Sequence, residues 1–327
     1  MKCHCLIILL FISQYLHAQD CSKEVLRHKN GNWKAGQQGS IRNVPATDLV
    51  KEKSVLASLH TLLSTGYHPT GCQVSYSTVY GKQAAAAKNW IADPYHYSMY
   101  ILPYICDNNK TDKSKYSVAI ASATNVMIAA NAIYTLNNLY AASLPDDDFR
   151  GYLKLKQIPQ KKDGAWFIGE EIIGDYGTAS EIKEYRWLIT YDDKLPFVYV
   201  SRKEYLLIQQ KRLEQTMKEE GASDFYKKFM NNITRELQQP DAILSKPAIC
   251  PWNDEQRFTG FLPEGSAGSF IAVKPNPGYY NKTLAPSSPQ FFSVVYTVSK
   301  GEPVFEDNIS AIQKALNFTT LKNMLGK

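Results

Sequence analysis

WLITYDDKLPFVYVSRKEYL, residues 187–206, holds a strand, a turn, a second strand and the start of a helix in one uninterrupted run. Residues 185–191 read as a strand. Asp192, Asp193 and Lys194 turn the chain, and residues 197–200 form a short second strand. Ser201 with Glu204 then makes the capping box of a helix that begins at Arg202, carries Leu206, Leu213 and Met217 on one face, and stops at Gly221. Ser223 or Asp224 opens another helix, with Phe225, Phe229, Ile233 and Leu237 recurring along its buried face and Pro240 beyond its end.

Working outward, residues 152–158, 165–173, 269–274 and 291–299 carry strand signals, joined by turns rich in Gly, Asp and Lys. Residues 47–64 predict a helix through Val50, Val55, Leu56, Leu59, Leu62 and Leu63, ended by Gly66. Two strands are expected between Cys72 and Tyr104, separated by an alanine-rich stretch at 83–91 that favours helix. Further strands are expected at 116–121 and 125–140. A helix at 308–316 and a short one containing Leu321 and Leu325 close the chain. Strands and helices in this succession predict an α+β fold: antiparallel sheets with helices packed on one side. Pro145-Asp146-Asp147-Asp148 marks the expected boundary between an N-terminal α+β subregion, 19–145, and a C-terminal one, 146–327, that holds the helix pair 202–238. The acid triplet lacks the later oxygen ligands and glutamate of a calcium loop and is a solvated turn.

The first residues predict export. Lys2 precedes an apolar run at 6–11, and Leu16-His17-Ala18 places a small residue before Gln19, so residues 1–18 have the form of a cleaved signal peptide. That run is far below the ~20 residues that cross a bilayer, and no later stretch reaches that length without charges, so no transmembrane anchor is expected in the mature chain. A secreted or periplasmic location follows. Of the six cysteines, Cys3 and Cys5 leave with the signal. Cys21, Cys72, Cys106 and Cys250 remain and allow three disulfide connectivities that sequence does not separate. The pairing adopted as the expectation is Cys72 with Cys106 and Cys21 with Cys250. Asp20 stands where a lipoprotein signal needs a small residue, which argues against a lipid on Cys21.

Composition excludes some classes. A hydrophobic fraction of 44% and a charged fraction of 21% are those of a folded globular chain. The net charge of +6 is small, and the lysines at 110–115 and 154–162 are interrupted or flanked by acids, so no nucleic-acid partner is expected. The histidines His28, His60, His68 and His96 form no metal-ligand spacing, and no metal or cofactor is expected. His68 stands close in sequence to Cys72, but a disulfide there would leave no nucleophile. The stretch Gly265-Ser266-Ala267-Gly268-Ser269 fits neither a nucleophile elbow nor a phosphate loop. Glu171, whose neighbour Glu170 points to the other side of its strand, and Asp193 are the weak catalytic candidates, since glycoside hydrolysis needs two carboxylates facing across a cleft. The 21 tyrosines include Tyr76, Tyr97 and Tyr100, which with Trp90 could form an aromatic binding face. Asn109, Asn232, Asn281, Asn308 and Asn317 begin N-x-Ser/Thr sequons.

Two stretches, LPFVYVSRKEYL at 195–206 and PGYYNKTLAPSSPQFF at 277–292, together with the leader ending in Ala18-Gln19, resemble uncharacterised exported proteins of Bacteroidota. The resemblance covers roughly the C-terminal half and implies a Gram-negative envelope setting, with no activity or catalytic residue to carry over. The leading expectation is a non-enzymatic binding or envelope-associated protein, with an envelope glycan, peptide or protein as its partner. The alternative is a hydrolase acting on envelope glycans or peptides.

Overall fold

The computed structural model describes residues 21–81, 92, 94–107, 115–132, 152–175, 181–191, 194–252 and 257–327. After a short helix α1 (Lys23–Arg27), the strands that build the larger sheet are β1 (Asn32–Ala35), β2 (Ile41–Arg42), β3 (Cys72–Gly81), β4 (Tyr95–Cys106), β5 (Tyr116–Val118) and β6 (Asn125–Ala130). The smaller sheet takes β7 (Leu153–Leu155), and the larger resumes with β8 (Gln160–Lys162), β9 (Ala165–Asp175) and β10 (Glu181–Thr190). The smaller adds β11 (Phe197–Tyr199), β12 (Ile249–Pro251) and β13 (Ser269–Pro275); β14 (Phe291–Ser299) returns to the larger.

The ten-stranded sheet runs β1-β3-β4-β6-β14-β10-β9-β8, with β2 on β3 and β5 on β4. All its pairings are antiparallel except those of β1 and β2 with β3. Strand β14 sits between β6 and β10 and is buried through Val298. Its even positions, Phe292, Val294, Tyr296 and Val298, join the core beneath the helices α2 (Ala46–Gly66), α6 (Pro303–Ala315) and α7 (Phe318–Asn323). From above, Leu56, Leu59, Leu63, Ile309, Ile312 and Leu321 close the same core. Each such side chain contributes roughly 1.5–3 kcal/mol when fully withdrawn from water.

The four-stranded sheet is ordered β11-β13-β12, with β7 also on β13. Period-2 alternation splits β13 between two cores. Ile271 and Val273 face the larger sheet and meet Leu188 and Phe291, while Phe270 and Ala272 face the pair α3 (Arg202–Glu220) and α4 (Asp224–Leu237). Each sheet therefore carries its helices on one side, and the two sheets meet back to back. The α+β reading holds.

Several local expectations are refined. Helix α2 begins at Ala46 with Pro45 at its N-cap and no side-chain cap. Ser201 Oγ accepts from the Glu204 N–H at 3.2 Å, but the Glu204 carboxylate pairs with Lys274 Nζ at 2.5 Å instead of returning to Ser201, so only half of the capping box forms. Helix α6 begins at Pro303, before the expected 308, because Asn308 is an interior residue of it. Its carboxamide accepts from Tyr67 Oη at 2.5 Å and Thr70 N at 3.2 Å, and donates to the carbonyls of Thr70 and Val304. That sequon is fully used inside the fold. Strand β6 realises the start of the expected 125–140 strand, and 133–140 lie outside the described residues, as do the alanine-rich 83–91 and the Pro145–Asp148 turn. Strands from 19–145 and from 146–327 share the larger sheet.

The disulfide expectation is corrected. Cys21 bonds Cys106, with Cα atoms 5.6 Å apart. Cys72 lies opposite Pro103 across β3 and β4, so Cys106 is three residues further along. At ~3.3 Å per residue that is about 10 Å, outside the span a disulfide bridges. Helix α1 packs on β4 and brings Cys21 to its end. Cys72 remains a buried thiol in the first core and Cys250 one in the core beneath α3 and α4.

Candidate functional site

The larger sheet has a second face, and alternation gives it a different chemistry. Cross-strand partners share a face, so the pairing registers can be followed across the sheet. One row runs Lys34, Ser75, Tyr100, Asn125, Thr297, Glu184, Glu171. The next runs Ser77, Ser98, Met127, Val295, Arg186, Gly169. A third begins at Val79, His96, Ala129, Ser293 and reaches Leu188, where the smaller sheet covers it. At ~4.8 Å between strands the first row spans about 29 Å. It contains no aliphatic side chain.

Exposure falls along that row. Lys34 is exposed, Ser75 and Asn125 are half-buried, and Tyr100 is 43% exposed. Thr297 and Glu184, with Arg186 of the next row, are buried, the last two at 9% and 8%, and Glu171 is half-buried. At the buried end four charges alternate. Lys156 Nζ donates to Glu171 Oε1, Arg186 Nη1 stands 3.8 Å from Glu171 Oε2, and Arg186 Nη2 donates to Glu184 Oε1. Thr297 Oγ1 lies 3.5 Å from Glu184 Oε2. Burial lowers the guanidinium to about 10, against the opposing pull of Glu171, so it stays protonated at neutral pH. Two register shifts in the β9–β10 ladder shape this end. Gly169, at φ +151°, lies under the Gln157 side chain, where a Cβ would stand 3.2 Å from Gln157 Cδ. The missing side chain lets residues 156 and 157 cross the face and deliver Lys156.

The sequence-predicted residues divide between the faces. Of the three tyrosines in the proposed aromatic set, Tyr100 lies on the polar one. Tyr76 and Tyr97 point beneath the helices. There His60 Nδ1 is 3.0 Å from Tyr97 Oη, the His60 ring stacks on Tyr76 at 4.1 Å, and Trp33 packs edge-on to His60 at 5.5 Å. Tyr97 is 0% exposed, and burial raises its phenol while lowering His60. These rings are packing and offer no face to a ligand. Trp90 and Asp193 lie outside the described residues. Glu171 is engaged by Lys156 and Arg186.

The cysteine–histidine pair does not form: Cys72 is buried, its thiol pushed up to about 12 by burial, while His68 is exposed. Ser266 Oγ and Ser269 Oγ donate to the carbonyls of Pro263 and Ser266, closing a turn. No group of three or more His, Cys, Asp or Glu suited to a metal occurs among the described residues. Sequence reasoning missed Glu184 and Arg186, although residues two apart on a strand share a face, so an acid and a base at that spacing were the available signal. Lys156 and Lys34 carried no such signal.

Chemically, the row offers an aromatic ring, hydroxyls and a carboxamide at its open end, and a charge-balanced, partly buried cluster at its closed end. Glu171 and Glu184 are direct cross-strand partners, but a hydrolytic pair needs the scissile bond between its carboxyl groups. Here the guanidinium occupies that position. Among the described residues no helix is long and apolar enough to cross a membrane. No protein-family model, curated protein or solved structure matches the chain.

Proposed function

We propose that the chain is an exported, non-enzymatic binding protein that presents the polar face of its larger sheet to an envelope glycan. The observation that carries this reading is the row Lys34, Ser75, Tyr100, Asn125, in which an exposed ring is flanked by hydroxyl and amide groups on three adjacent strands and by a cation on a fourth. A ring with a polar tip offers a flat contact to the apolar side of a sugar, and short neutral side chains around it exchange hydrogen bonds with hydroxyls. The Lys156-Glu171-Arg186-Glu184 cluster balances its own charge and closes the far end of the same face. Export is supported by the residue pattern at 1–18 and by the Cys21–Cys106 disulfide, a bond that persists in oxidising compartments.

Co-sedimentation of the purified chain with insoluble peptidoglycan sacculi tests the reading. The expected result is retention of the wild type and loss of retention on Tyr100→Ala with an unchanged folded spectrum. Equal retention of both proteins would remove the face from consideration. Release of soluble fragments by the wild type, abolished by Glu171→Gln in a folded variant, would instead establish the hydrolase.

A further inference from the structure

On the opposite face of the same sheet, the corner between α6 and α7 stands over β10 and β14 and leaves a cavity of about 470 Å³ beside the β8–β9 turn. That volume lies within the range of small-molecule sites. Trp187 and Phe318 form its aromatic wall, with ring centroids 5.3 Å apart. Trp187 also contacts Phe167, with ring centroids 5.0 Å apart, so the indole is fixed before any ligand arrives. Tyr296 contributes to the lining from within the sheet. It is 1% exposed, and its hydroxyl has no hydrogen-bond partner among the described residues. A buried hydroxyl without a partner is costly, and a ligand that supplies one recovers that cost.

The remaining polar lining is neutral or balanced. Gln313, Asn317 and Thr319 are exposed and bring two carboxamides and a hydroxyl. The Asn317 Oδ1 is spent on the Thr319 N–H at 2.8 Å, which leaves the amide Nδ2 to donate. Lys162 and Asp163 supply one charge of each sign from the turn. The lining thus has no net preference for an ion, one fixed aromatic wall and several neutral donors and acceptors.

From this we infer a second binding site, at Trp187, Tyr296, Gln313 and Asn317, for a single neutral sugar ring of pyranose size. The ring stacks its apolar side on Trp187, one hydroxyl reaches Tyr296 Oη, which is closed to solvent in this fold, after a small shift of the phenol, and others meet the two carboxamides. A ligand of that size binds with a dissociation constant on the order of millimolar. The site is separate from the polar sheet face, and neither assignment depends on the other.

Saturation-transfer NMR of the full exported chain tests it, with the methyl pyranosides of glucose, galactose, mannose and N-acetylglucosamine as probes. At least one should receive saturation on its ring protons, with Tyr296→Phe and Gln313→Ala each weakening its affinity about fivefold. Tyr296→Phe removes a hydroxyl that has no partner in the fold, so it leaves stability unchanged or slightly raised; a hydroxyl that served only structure would leave affinity unchanged. Asn317→Asp keeps the helix cap and removes the donor, and should also weaken binding. The inference is overturned if no probe receives saturation, or if binding is indifferent to Tyr296→Phe and Gln313→Ala. A probe displaced by Tyr100→Ala alone would place the sugar on the polar face, refuting this site and leaving the other standing.

Discussion

Strand β4 contributes Tyr97 and Met99 to one face of the larger sheet and Ser98 and Tyr100 to the other. The two sets share one backbone and one ladder of hydrogen bonds, yet they solve opposite problems. Beneath α2, α6 and α7 the face is held by apolar area. On the other side the buried charges are held by pairing, and the open end of the row is left with side chains that tolerate water. Aromatic content does not distinguish the faces, since Tyr97 and Tyr100 are the same residue type three positions apart. What distinguishes them is parity along the strand.

The sharpest way to break the contrast is to remove the cation from the polar side. Arg186→Met leaves Glu184 buried without its partner and should cost about 4 kcal/mol in urea unfolding at neutral pH. Adding Glu184→Gln to that variant should recover part of the loss, which a simple packing defect would not allow. On the helix side, Leu59→Ala opens a cavity under α2 and should cost about 3 kcal/mol, with no dependence on salt.

Acid comes next. Burial lowers His96 to about 4, and its row neighbours Val79 and Ala129 carry no charge. The unfolded chain then takes up the proton more readily than the folded one. The stability due to neutral His96 is complete above pH ~6.5 and is lost as pH falls towards the folded value, by up to about 2 kcal/mol after discounting for partial exposure. A urea midpoint that is flat across this window, or His96→Gln with the same slope as wild type, would contradict the assignment. Tyr100→Ala should be the mildest for stability, within about 0.5 kcal/mol, while abolishing retention on sacculi.

How much of this could be read from the sequence depended on the range of the signal. Strand β14, the Ser201 cap and the stop at Gly221 are local, and their residues suffice to place them. Strand β6 is legible through Val126 and Ile128, which favour a sheet. The partner choices were not legible. Nothing in residues 291–299 says that they insert between β6 and β10, which pairs segments more than 100 residues apart. The very short strands β1, β7 and β12 exist because a neighbour supplies hydrogen bonds, not because three or four residues specify them. The candidate site followed the same rule: Glu171 stood out as a carboxylate next to another, whereas its partners Lys156 and Arg186 became visible only when the ladder placed them beside it.

The Cys21–Cys106 bond, with its sequence separation of 85, closes a covalent ring that holds α1, α2, β3 and β4. A protease that cuts once anywhere between the two cysteines leaves both pieces tethered. On a gel the nicked protein keeps its full mass until a reductant is added, and then falls apart into two fragments. A chain nicked in this part of the sequence can therefore go on presenting Ser75 and Tyr100 side by side, whereas a cut beyond Cys106 has only noncovalent packing to hold β14 in the middle of the sheet.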